Sequence, residues 1–287
     1  MQMINAKLFI VITLLGVFFP SLAEKRAFLV GISKYEEFGN SWSNIHGAED
    51  VNLLTPILKK QGYKVITLLE KQATYNNIVK GLVKLETSCN SGDVVYIHFS
   101  THGQPIEDND GDETDGWDES IVPIDAFMFY EKGKYEGEHH LKDDELKTIL
   151  SKIRLKVGNS GQVIVAMDAC HAGTLSRSEE EEFVRGTSTG FSRRGTLYHP
   201  RIIEKANHYK IDGSSHEAPI LILEACRPYQ RNSEVKVGEN YYGSLSYAIY
   251  IALKSTVLGI DNNALLEKVK YEMRKSPNQN LVIESSN

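Results

Sequence analysis

Residues Val163–Thr174 read VIVAMDACHAGT. A β-prone apolar run stops at an acid (Asp168), a thiol (Cys170) and an imidazole (His171), then meets a glycine. Such a run, uninterrupted by polar residues, suits a strand buried on both faces of a parallel sheet. In open α/β sheets ligands bind beyond the carboxyl ends of the strands, so reactive groups at a strand tip have a place to work. A second tip of this kind lies upstream: DVVYIHFSTHG (Asp93–Gly103) ends in Ser100 and His102. Strand side chains alternate with period two. Ser100 and His102 therefore share one side of their strand, as do Asp168 and Cys170, wherever the extended conformation persists.

Around these two tips the chain alternates strands with helices. Strands are expected at Arg26–Ile32, Tyr63–Leu69, Asp93–Ser100, Gln162–Asp168, Ala218–Cys226 and Leu281–Glu284. Helical spacing marks Gly47–Gln61, Thr74–Leu85 with Thr74 as N-cap, Tyr242–Leu253 and Asn263–Arg274. Strands and helices in alternation imply crossover connections, hence a mostly parallel sheet with helices on both faces. The 287 residues, 41% hydrophobic, suffice for one large core. A net charge of -6 argues against a nucleic-acid partner.

The first 23 residues read as a secretory signal. Lys7 precedes an apolar run, Leu8–Phe19, and Ser21-Leu22-Ala23 offers a small-residue cleavage site. The run is too short for a membrane span, which takes about 20 residues. The remainder, 24–287, is expected to be exported, to the periplasm or beyond. Export makes the cysteine count informative. Three cysteines, Cys89, Cys170 and Cys226, leave at least one free thiol. Pairing of Cys89 with Cys226 would leave Cys170 free.

A thiol becomes a useful nucleophile when a base takes its proton, and an imidazole can later return that proton to a leaving amine. Cys170 and His102 are the candidate pair. Backbone amides of Gly103 and Cys170 are candidates for holding a developing oxyanion. Zinc needs three or four ligands, and His98, His102 and His171 lack the usual spacing. Two irregular segments remain: Glu107–Glu119, with eight acidic residues in thirteen, and the polar stretch Ser176–Ser215. Asp108, Asp110, Asp112 and Glu119 mimic EF-hand spacing, but Glu113 stands where that loop needs glycine.

Taken together, these motifs resemble metacaspases and bacterial caspase-like peptidases. HFSTHG (98–103) looks like their His motif and MDACHAG (167–173) like their Cys motif. DGDETDGWDESIVPID (110–125) resembles the acidic segment between the two. LEACRPYQRNSE (223–234) and GSLSYAI (243–249) resemble the start of their small subunit. The resemblance covers about 26–284. It implies a caspase-like three-layer α/β sandwich around a sheet of about six strands. Its regions would be a large-subunit part (24–175), a flexible processing loop (176–215) and a small-subunit part (216–287).

The resemblance further implies a cysteine endopeptidase with a Cys170–His102 dyad. Asp168, Ser100 and Asp50 match an acidic pocket, so the cut should follow Arg or Lys in peptide or protein substrates. Asp50 lies in NIHGAEDV, one residue tighter than the family's usual spacing. No cofactor is needed for the chemistry. A calcium site would map onto Asp118, Asp143 and Asp144, whereas the acidic ligand expected after the Cys motif is replaced by Ser176 and Arg177. Arg177, Arg185, Arg193 and Arg194 are candidate self-cleavage positions, FSRRGT (191–196) looking the most accessible. Metacaspases are generally monomeric, which is the expectation here. The alternatives are a legumain- or clostripain-like peptidase and a non-catalytic caspase-like scaffold.

Overall fold

In the computed structural model the described residues are 23–111, 113–170, 183–187, 189–199, 208–276 and 279–286. The expected signal segment up to Leu22, and Asp112, His171, Ser176 and Arg177, lie outside them. The chain opens on β1 (Lys25–Gly31), followed by α1 (Gly47–Lys60), β2 (Tyr63–Leu69), α2 (Tyr75–Ser88) and β3 (Val94–Ser100). A small antiparallel sheet of β4 (His102–Glu107), β5 (Trp117–Val122) and β6 (Leu141–Lys142) then leads into α3 (Asp143–Val157). The second half holds β7 (Gln162–Asp168), β8 (His208–Lys210), β9 (Ile220–Glu224) and a hairpin of β10 (Glu234–Val237) and β11 (Asn240–Gly243). It ends with α4 (Ser244–Leu253), α5 (Asn262–Met273) and β12 (Val282–Ser285).

The central sheet has seven strands, ordered β2-β1-β3-β7-β9-β12-β8. β2, β1, β3, β7 and β9 run parallel, and β12 turns against β9. One strand exceeds the expected six: β8 falls inside the polar stretch 176–215, which carries no apolar run to announce it. Strand order changes direction between β1 and β3, so the crevice beyond their carboxyl ends is the switch point where ligands are expected.

Period-two alternation sorts the strands onto two cores. Phe28 and Val30, Val95, Ile97 and Phe99, and Val163 and Val165 face the layer of α2 and α3. Ala27 and Leu29, Tyr96, and Ile164 and Ala166 face α1, α4 and α5. Continuing that alternation puts Ser100 and Asp168 on the α1/α4 side, and their register is matched: Ser100 pairs with Asp168 across β3 and β7. Each parallel strand is apolar on both faces because each face meets a helical layer. Thr74 caps α2 as anticipated, accepting from the Asn77 amide at 3.3 Å. Among the described residues no helix is long and apolar enough to cross a membrane.

Two expectations need correction, and one open possibility is settled. The extended run does not persist through HFSTHG: the main sheet ends at Ser100, and His102 starts β4 in the second sheet. The stretch 176–215 is not uniformly a loose loop. Among its described residues Arg185, Thr187 and Phe191 are buried, and the Phe191 amide donates to Pro105 O at 2.7 Å. Cys89 and Cys226 do not pair. Cys89 caps α2 in the α2/α3 core, whereas Cys226 follows β9 beside Cys170, and none of the three is in a disulfide.

Candidate active site

The carboxyl ends of β1, β3 and β7 converge on a buried acidic pocket. Asp50 comes from the first turn of α1, which follows β1. Ser100 ends β3 and Asp168 ends β7. All three are fully buried. A fourth wall, absent from the sequence reading, is Glu234 at the start of β10. Gly243 closes the floor: its amide donates to Asp50 Oδ1 at 3.0 Å. A Cβ there would lie 2.1 Å from Asp168 Oδ2, so only glycine lets the backbone approach the acids this closely.

Into this pocket projects the guanidinium of Arg185. Its terminal nitrogen Nη2 lies 2.7 Å from Asp50 Oδ2 and 2.8 Å from Glu234 Oε1. Nε donates to Glu234 Oε1 at 3.0 Å, Nη1 donates to Ser100 Oγ, and Asp168 Oδ1 is 3.8 Å from Nη1. Three carboxylates thus surround one fully buried cation. A guanidinium presents its donors as a planar fork, which suits several acceptors at once.

The acids do not respond alike. Burial would raise the Asp168 carboxyl. The Arg185 charge, the Ser246 hydroxyl and amide (each 2.7 Å) and the Asn232 amide (2.7 Å) outweigh it and hold Asp168 below the usual carboxylate range. Asp168 also faces the N-terminus of α4, where a negative charge is favoured. Asp50 has fewer donors, and burial pushes it up to about 7 against the pull of Arg185. Glu234 is held low, burial notwithstanding, by Arg185 and by His46, whose Nδ1 lies 2.5 Å from Glu234 Oε2.

The main chain carrying Arg185 is held as well. The Arg185 amide donates to Asn232 O at 2.9 Å, and the Glu234 amide donates to Phe183 O at 3.0 Å. Val184 forms an antiparallel bridge with Ser233. Phe183–Arg185 is therefore an extended segment paired with Asn232–Glu234, the arrangement by which peptides add a strand to a free edge. Gly186 follows, at φ +135°, and a Cβ on it would fall 1.8 Å from Cys170 O.

His102 lies beside this pocket, buried under two rings. Trp42 stacks on it (centroids 4.8 Å, 26°) and Tyr35 tilts against it at 4.8 Å. Its Nε2 is 2.9 Å from Ser43 O. A carbonyl only accepts, so Nε2 carries the hydrogen, and in a neutral ring Nδ1 is the free acceptor. Nδ1 is buried without a hydrogen-bond partner. Burial lowers the imidazole to about 4, which keeps the ring neutral at ordinary pH. Cys170, also buried, donates from Sγ to Gln230 O at 2.6 Å, and Cys226 Sγ lies 2.9 Å from it. The β7/β9 register, Met167 opposite Glu224, explains the second contact: both strands run apolar–acid–Ala–Cys, a parallel visible in the sequence but not used there.

A separate cluster forms where β5 meets α3. Carboxylate oxygens of Asp118, Asp143 and Asp144 lie within 4.8 Å of one another. Asp118 Oδ1 and Asp143 Oδ1 are buried with no hydrogen-bond partner. Burial and the neighbouring acids push Asp143 up to about 7, and burial raises Asp118. Two orphaned carboxylate oxygens in an all-oxygen cluster fit a hard divalent cation. Lys142 Nζ, 2.5 Å from Asp118 Oδ2, partly neutralises the group in its place. Asp108 and Asp110 approach Asp118 from the β4–β5 connection as a second set.

Of the expected self-cleavage positions, Arg193 and Arg194 are exposed, and their segment is tied to Glu107 through Ser192 Oγ at 2.7 Å and the Arg193 amide at 3.1 Å. Accessibility pointed to FSRRGT; the arginine in the acidic pocket is instead Arg185.

Metacaspase-2 of Arabidopsis thaliana is 32% identical over 167 residues, 54% of this chain and 36% of that protein. Metacaspase III c of Phaeodactylum tricornutum is 33% identical over 132 residues, 46% of this chain and 33% of that protein. Metacaspase-1 of Pyricularia oryzae is 26% identical over 227 residues, 77% and 49%. The matched regions span between a third and a half of these relatives' lengths. A crystal structure of a Geobacter sulfurreducens protein superposes with a TM-score of 0.62 at 19% identity, covering 92% of this chain and 93% of that one. The Caspase domain family matches residues 24–287. With nearly the whole chain inside that match, and with its seven-stranded sheet and two helical layers, this protein belongs to the caspase domain family, on its metacaspase-like side.

Proposed function

We propose that this chain is an exported cysteine endopeptidase that cuts after Arg or Lys and processes itself between Arg185 and Gly186. One observation carries the reading: Arg185 sits in a pocket of three carboxylates while the backbone of the next residue lies against Cys170. A buried guanidinium is tolerated only where acids offset its desolvation, so the pocket is a selector for a cationic side chain. Arg brings a planar fork of donors on three nitrogens to these acceptors, whereas Lys brings one compact ammonium.

Chemistry follows from the groups at hand. Cys170 Sγ swings from Gln230 O towards the Arg185 carbonyl, and its proton passes to Nδ1 of His102, which is neutral and unpartnered. The sulfur bonds to the carbonyl carbon, and the resulting oxyanion is held by backbone N–H groups of Gly103 and Cys170. Collapse of this intermediate expels the Gly186 amine, which takes the proton back from Nδ1 and leaves an acyl-enzyme. A water, deprotonated by the same nitrogen, then releases the Arg185 carboxylate. Ser43 O keeps the ring in the tautomer this sequence of transfers requires.

Asp118, Asp143 and Asp144 would hold a calcium ion. Bound there, it would supply charge neutralisation for a carboxylate cluster served, among the described residues, by Lys142 beside Asp118. The mature chain acts as a monomer in this reading.

Mass spectrometry of the wild type and of Cys170→Ala, each incubated with and without calcium, tests the proposal. Fragments ending at Arg185 are expected from the wild type and absent from the variant. Reporter peptides ending in Arg, and less well Lys, should be cleaved, while Asn and Asp peptides stay intact. Intact wild-type protein together with silence on every reporter overturns it, and cleavage after Asn alone indicates a legumain-like enzyme.

A further inference from the structure

A cluster of three aromatic rings lies next to the acidic pocket. Phe183 precedes Arg185 by two, so in an extended segment both side chains point to the same side. The Phe183 ring meets His46 edge-on (4.6 Å, 89°) and Tyr241 edge-on (4.9 Å, 67°). His46 and Tyr241 stack on each other at 5.2 Å and 24°. Phe183 thus contacts both rings of a stacked pair. His46 is fixed by Glu234, whose Oε2 faces its Nδ1 and whose Oε1 binds Arg185. The Glu234 hydrogen bond also raises the His46 pKa. One carboxylate therefore contacts both Arg185 and His46.

Resting on the proposed Arg-directed cleavage, we infer that His46 and Tyr241 form a specificity subsite for an aromatic side chain two residues before the cleaved Arg. The preferred substrate is then an extended Phe-x-Arg-Gly segment rather than any exposed basic residue. Edge-to-face aromatic contacts favour such pairs beyond their buried area, and two of them together correspond to roughly 10- to 100-fold in selectivity. The side chain between them, Val184, points the other way and carries little of this discrimination. The subsite also gives a reason why Arg185, and neither Arg193 nor Arg194, occupies the acids: those two follow Phe191 and Ser192, and Phe191 is buried against Ile106 instead.

Two measurements test the inference. In the processed wild-type enzyme, kcat/KM for a Phe-Val-Arg reporter should exceed that for Ala-Val-Arg by at least 10-fold, and Tyr241→Ala should reduce the ratio to below about threefold while Arg remains preferred over Asp. For a readout free of catalysis, the full chain carrying Cys170→Ala, Phe183→Ala and Arg185→Ala leaves both pockets open. It should bind dye-labelled Phe-Val-Arg-Gly at least 10-fold more tightly than Ala-Val-Arg-Gly, a difference that His46→Ala removes. Equal handling of the Phe and Ala peptides in either measurement overturns the subsite. Discrimination in binding without cleavage of any reporter would keep the subsite and sink the peptidase reading. If the triple variant does not fold, the kinetic ratio in the wild type stands as the test.

Discussion

Replacing Arg185 by Ala in a Cys170→Ala background isolates the electrostatics of the acidic pocket from any self-cleavage. The change removes the guanidinium shared by Asp50, Asp168 and Glu234, and with it the interactions at 2.7, 2.8 and 3.0 Å. Breaking a buried ion pair by deleting one partner costs about 3–5 kcal/mol, because the remaining charge is left uncompensated. For a chain of this size that corresponds to a fall in Tm of roughly 6–20 °C. The loss should also depend on pH. Asp50 is already pushed up to about 7, above its unfolded value, and without the guanidinium it rises further. A carboxyl whose folded pKa is raised binds its proton more tightly when folded. Its contribution is therefore favourable at low pH and is lost as pH rises from the unfolded value through the folded one. Arg185→Ala should thus be most costly at pH 8 and least at pH 5.5, by at least about 1 kcal/mol. Urea denaturation of both proteins at the two pH values measures this. A cost below about 1 kcal/mol at pH 8, with no change on acidification, would mean that the guanidinium does not sit among the three acids.

Further outcomes follow from other contacts. Trp42→Ala removes the ring stacked on His102 and the hydrogen bond from Trp42 Nε1 to Ala126 O (3.2 Å); it should cost about 3–5 kcal/mol in denaturant melts and lower kcat more than it raises KM. The His102 imidazole, held to about 4 by burial, should stay neutral to pH 5 in NMR titrations. Because its folded pKa is depressed, its contribution to stability is present above about 6.5 and declines as pH falls towards 4, and a midpoint near 6.5 would refute its burial. Lys142→Ala removes the ammonium beside Asp118 and should tighten calcium binding about tenfold by calorimetry. Unchanged affinity would place the cation elsewhere.

Much of this protein is written in local pattern. Uninterrupted apolar runs ending at Ser100 and Asp168, alternating with helical spacing, suffice to specify a parallel sheet between two helical layers. Period-two alternation indicates which side chains within one strand share a face, but that Ser100 meets Asp168 follows from the pairing of β3 with β7. Cys170 and His102 stood out as candidates because apolar runs seldom lead into a thiol or an imidazole followed within a few residues by glycine.

Other features depended on tertiary structure, because the contacts join residues far apart in sequence and without periodicity. Arg185 meets Glu234 across 49 residues and Ser100 across 85. In a polar stretch rich in Gly, Ser and Arg, nothing distinguishes a seated arginine from an exposed one. The burial of Arg185 comes from a strand pairing with Asn232–Glu234 that only folding creates. Cys226 lies beside Cys170, not Cys89, because β9 docks next to β7 in register. The order of residues sets which groups each strand tip carries. Only the packing of the sheet, with one helix start and one hairpin edge brought against it, sets which of those groups meet.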